Sequence, residues 1–90
     1  MLKKTSYSDF IDQINGKKIM AETCFYFSDD PWKKTYLLIC HRMMIQPILI
    51  RAGLRKEYRF NTAEEMGEAK IFHGKSLKEK WDKVVLVPIP

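Results

Sequence analysis

Between residues 18 and 60 apolar side chains recur mostly every second position, and the run is broken only by turn-forming residues. Such a stretch buries its apolar surface by forming a sheet. Over 18–28, Ile19, Ala21, Thr23, Phe25 and Phe27 alternate with Met20, Glu22, Cys24 and Tyr26. Both sides of that pleat are largely apolar, which predicts a central strand. Ser28, Asp29, Asp30 and Pro31 then turn the chain, and an extended pattern resumes over 34–42. A helix competes for 32–46, because Asp30 followed by Pro31 is a good helix start and Trp32, Tyr36, Ile39, Cys40 and Met43 would share one face. The strand reading is preferred: on a helix Leu37 and Leu38 would fall among lysines and His41, leaving apolar and polar residues unsegregated. Pro47 cannot donate to a ladder, so 44–51 is expected to be an edge or bulged strand. After the turn at Ala52 and Gly53, residues 54–60 return with Leu54, Lys56, Tyr58 and Phe60 on one face and Arg55, Glu57 and Arg59 on the other.

Helices bracket this run. Tyr7, Phe10, Ile11 and Ile14 stand at i, i+3, i+4 and i+7 behind a Ser6 or Ser8 cap, and Asn15 with Gly16 ends the pattern. Thr62 with Glu65 and Ser76 with Glu79 are two capping boxes, predicting short helices over 63–69 and 77–82. Between them 70–72 is extended and His73-Gly74-Lys75 is a turn. Residues 84–89 close the chain as a strand whose Pro88 suits an edge. With 90 residues the chain is short enough for one core only. The expectation is one α+β domain over 1–90: an N-terminal helix, an antiparallel meander of about four strands, two short helices and a C-terminal strand, with helices covering one face.

Composition narrows the function classes. An apolar fraction of 46% with 30% charged residues is that of a folding globular chain. The longest apolar stretch, 36–50, is interrupted by His41, Arg42, Gln46 and Pro47 and falls short of a membrane helix. Lys3 and Lys4 are followed by alternating residues and not by the uninterrupted apolar run of a secretory signal, so a cytoplasmic location is expected. Cys24 and Cys40 read as buried thiols, because apart from His41 beside Cys40 neither has a partner at ligand spacing.

Positive charge is concentrated where the strands are. Lys33, Lys34, Arg42, Arg51, Arg55, Lys56 and Arg59 face the single acid Glu57 between residues 33 and 59, in a chain of formal net charge +5. Arg51, Arg55, Lys56 and Arg59 therefore form a candidate nucleic-acid surface, since arginines on a sheet bind phosphate bidentately. Tyr58 falls on the opposite side from Arg55 and Arg59, which leaves a base-stacking platform incomplete. The simpler account is that these are solvated strand residues that discourage edge aggregation.

Catalytic signatures are weak. Gly74-Lys75-Ser76 resembles the tail of a phosphate-binding loop, yet Ala69 stands where that loop needs its first glycine. His41 and His73, with Arg42 or Lys75, are the minimum kit for metal-free RNA cleavage, and a small ribonuclease is the third reading. The acids Asp29, Asp30, Glu64, Glu65 and Glu68 form a turn and a solvated helix face. No catalytic residue, metal site or cofactor is assigned. Trp32, a large aromatic in a charged turn, and an exposed edge near Ile48 and Ile50 are the candidate partner-binding residues. The leading expectation is a non-catalytic binding or adaptor module that recruits another protein or self-associates, with nucleic-acid binding as the alternative and no membrane partner.

Overall fold

The computed structural model describes residues 5–15, 21–40, 46–51, 53 and 56–87. Helix α1 spans Tyr7–Asn15 and buries Phe10 and Ile11. Ser6 is its cap: the Asp9 amide donates to Ser6 Oγ at 3.2 Å, satisfying one of the free amides of the first turn. Five strands follow the predicted rhythm: β1 Ala21–Phe27, β2 Tyr36–Cys40, β3 Ile48–Arg51, β4 Lys56–Arg59 and, at the end of the described chain, β5 Val84–Val87. All pairings are antiparallel and the order across the sheet is β4-β3-β2-β1-β5. The segment where helix and strand competed is thus extended over β2.

One sequence expectation fails here. β3 is not an edge: Leu37 pairs with Ile50 on one side and Glu57 pairs with it on the other. Proline removes only its own donor, and Pro47 lies just ahead of β3, buried, with its carbonyl accepting from the Phe60 amide at 3.1 Å. Residues 48–51 are left free to pair on both sides. The edges among the described strands are β4, three of whose four residues are charged, and the apolar β5.

The register sorts every side chain. Phe25 lies opposite Tyr36, Leu38 opposite Leu49 and Leu49 opposite Tyr58, so these residues share one face with Phe27 and Val84. That face carries the core. Phe25, Phe27, Tyr36 and Phe72 form an aromatic cluster with centroids 5.0 to 6.4 Å apart, mostly edge to face, with Phe25 stacked on Tyr36. Phe10 and Ile11 of α1, together with Ala63 and Met66 of α2 (Ala63–Glu68), complete it.

The second half of the chain holds this covering layer in place. Thr62 Oγ1 accepts from the Glu65 amide at 3.0 Å, and the Glu65 carboxylate accepts from the Asn61 amide at 3.1 Å. Phe72 bridges to Lys75 around His73 and Gly74, both at positive φ, the backbone of a two-residue hairpin turn. Ser76 and Glu79 exchange their capping bonds at 3.1 and 2.8 Å, yet the expected second C-terminal helix is only a run of turns ending in a 3-10 turn, Trp81–Lys83. A capping box supplies a start but does not by itself propagate a helix. Trp81 packs on α1, tilted against Phe10 at 4.7 Å and edge-on to Tyr7 at 5.8 Å, and its indole donates to the Thr5 carbonyl at 3.0 Å.

Candidate functional site: the uncovered face of the sheet

Both helices lie on one side of the sheet, and the alternate set of strand residues looks the other way. In register, Val87, Cys24, Leu37, Ile50 and Glu57 form one row across all five strands, and Glu22, Ile39, Ile48 and Arg59 form a second across four. Tyr26 and Val85 add a pair at the β1–β5 end. The apolar members are all part-exposed, and none belongs to the buried cluster or packs against it. The centre of this face is apolar, with Arg59 and Glu57 paired at 3.2 Å on the β4 rim and Glu22 of β1 in register with Ile39.

Two neighbouring features border this face. The Lys33 ammonium lies 5.7 Å from the centroid of the Tyr26 ring, within cation–π range. Beside it Trp32 is 81% exposed, the single large hydrophobic residue so exposed among those described. Its turn is rigidly built. Asp30 accepts from the amides of Trp32 and Lys34, both at 3.0 Å, and these bonds hold its carboxyl below the usual aspartate range. Lys33 takes a left-handed backbone at φ 49°, and its amide bonds the Asp30 carbonyl at 3.1 Å.

The basic candidates do not converge. Arg51 and Lys56 are opposite each other in register, on the helix side with Tyr36, and the Lys56 ammonium lies 5.2 Å from the Tyr58 ring centroid. Arg59 projects from the opposite face and is engaged by Glu57. Arg55 lies outside the described residues, as do His41 and Arg42 of the ribonuclease reading. His73 is exposed at the tip of the hairpin turn and lines a cleft of about 190 Å³ with Phe27, Tyr36 and Phe72. Beside that cleft the Lys80 ammonium sits 4.2 Å from the Phe27 ring centroid and 3.4 Å from Asp29.

A second cleft, about 320 Å³, opens between α1 and α2 and is lined by Tyr7, Ile11, Asp12, Glu64, Glu68 and Lys78. Burial pushes the Tyr7 hydroxyl above its ordinary pKa, and Glu68 and Glu64 add to that shift. No cluster of three metal-ligating side chains occurs among the described residues, and no helix among them is long and apolar enough to cross a membrane.

Of the residues read from sequence as partner-binding, Ile48 and Ile50 sit in the middle of the uncovered face, though on an interior strand and not an edge. Trp32 stands at the β1–β2 turn. Cys24, Tyr26, Leu37, Ile39, Val85 and Val87 were missed, because apolar residues on both sides of a strand read as burial on both sides. The available signal was helix content: the two short helices among the described residues cannot cover two faces of a five-stranded sheet. No protein-family model, curated protein or solved structure matches the chain.

Proposed function

We propose that this chain is a non-catalytic protein-interaction module whose working surface is the uncovered sheet face, with Trp32 as an anchor at its border. The observation that carries the reading is the apolar face itself, with part-exposed apolar side chains from four strands. A contiguous apolar surface rimmed by polar groups is what protein contacts use, and tryptophan is the residue most enriched at their energetic centres. Orientation on rigid strands favours binding further, since little side-chain freedom is lost on contact. The position of Arg51 and Lys56 on one face and Arg59 on the other favours this reading over a single phosphate-binding surface.

The test uses the full chain, comparing the wild type with Ile50→Lys and, as a control away from the face, Lys56→Ala. Wild type and control are expected to form the same complexes, with other copies or with captured proteins, and Ile50→Lys to lose them while keeping its circular dichroism spectrum. Complexes indifferent to Ile50→Lys would refute the reading. Steeply salt-dependent oligonucleotide binding that Arg51→Ala and Lys56→Ala abolish would replace it with the nucleic-acid alternative.

A further inference from the structure

We infer that Asn15 is a site of spontaneous deamidation, and that its conversion works α1 loose from α2. The inference is independent of the reading of the sheet face. Asn15 is followed by Gly16, whereas the chain's other asparagine, Asn61, is followed by the β-branched Thr62. Deamidation begins when the backbone nitrogen of the next residue, its proton taken by hydroxide, attacks the asparagine side-chain carbon. A new C–N bond forms, the bond from Cγ to Nδ2 breaks, and the leaving nitrogen takes a proton from water to depart as ammonia, regenerating hydroxide. Water then opens the cyclic imide at either carbonyl, its hydroxyl staying on that carbon as a carboxyl group and its proton returning to the backbone nitrogen. The products are aspartate and isoaspartate. Glycine has no Cβ to crowd the attack, and the branched side chain of threonine does crowd it. Asn15 is exposed to water and is the last residue of α1, and helix ends fray. Gly16 lies outside the described residues and enters through its sequence identity alone.

The position of Asn15 decides what conversion breaks. Its side-chain amide donates to Glu64 Oε1, tying the end of α1 to the first turn of α2. Among the described residues this is the one side-chain hydrogen bond between the two helices. A carboxylate in its place has no proton to donate, so repulsion between two carboxylates replaces an attraction. Asp12 and Glu68 line the same cleft as Glu64, against the single lining cation Lys78, which already stands 4.0 Å from Glu68. The new charge also falls at the C-terminal end of α1, where the helix dipole favours cations and where the last turn holds no basic residue. In isoaspartate the main chain runs through the former side-chain carbon, which lengthens the backbone at the helix end. Because α1 carries Phe10 and Ile11 into the core, loosening its end weakens the layer that covers the sheet. Each contribution acts at an exposed site and is small, so the converted chain stays folded but melts earlier.

The test incubates the full wild-type chain for days at mildly alkaline pH and body temperature, then maps it by digestion and mass spectrometry with Asn61 as the internal reference. Conversion at Asn15 is expected, with isoaspartate the larger product, while Asn61 stays intact. The consequence is read on variants that fix the product in place. Asn15→Asp is expected to lower the thermal midpoint by about 4 °C. In a Glu64→Gln background the same change should cost little relative to Glu64→Gln alone, because the glutamine amide can donate to the new carboxylate. An Asn15 that stays intact through the incubation, or converts no faster than Asn61, overturns the site. Conversion paired with an Asn15→Asp midpoint equal to that of the wild type overturns its effect, and a drop that Glu64→Gln leaves undiminished overturns the role of the α1–α2 bond.

Discussion

At Thr23 the fold tolerates a local conflict. The side chain sits on the core face of β1 at 2% exposure, and its hydroxyl has no hydrogen-bond partner among the described residues. A buried hydroxyl without a partner loses its water bonds and gains nothing, so Thr23→Val should stabilise the protein by about 1 kcal/mol, read as a rise in thermal midpoint. Thr23→Ser keeps the hydroxyl and opens a void, and should lower the midpoint. Asp30 is the opposite case, a carboxylate whose pKa is depressed by the Trp32 and Lys34 amides. Because its folded pKa lies below its unfolded value, its contribution is complete above the ordinary aspartate pKa and is lost as pH falls through the folded one. Acid titration of the thermal midpoint should show that loss in the wild type, and Asp30→Ala should flatten the corresponding part of the curve.

The contact between the two helices turns on one glycine. A Cβ at Gly67 would overlap the Tyr7 hydroxyl and come within 2.8 Å of Tyr7 Cζ. A shift of Tyr7 would disturb its edge-on contact with Trp81. Alanine is the better helix former by about 1 kcal/mol, but overpacking costs about 1 to 3 kcal/mol, so Gly67→Ala should be net destabilising in a denaturant titration. Tyr7→Ala should remove the additional cost of Gly67→Ala when the two are combined.

Element identity was legible where periodicity and capping agreed, as in α1, β1, β2 and α2. It failed where a local signal needed tertiary context. Pro47 correctly marked a break, but whether a strand beyond it is an edge depends on what pairs with it from elsewhere in the chain. The Ser76 box correctly marked a cap, but a cap alone does not decide whether a helix propagates beyond it.

For the molecule as a whole, the architecture followed from the sequence and the site did so only in part. Apolar residues on both sides of β1 and β2 pointed to two buried faces, while the two short helices among the described residues cover one. That mismatch between apolar strand surface and available cover is the physical basis of the proposed contact. Ile48 and Ile50 were found for a mistaken reason, as edge residues, and their real significance is the side of the sheet they share with Leu37 and Ile39. The most direct measurement is methyl-resolved NMR of the full chain over a concentration series. Leu37, Ile39, Ile48 and Ile50 are expected to shift with concentration while Leu38, Leu49 and Leu77, buried on the helix side, stay fixed. Shifts confined to other surfaces, or none on this face at the highest concentration, would contradict it.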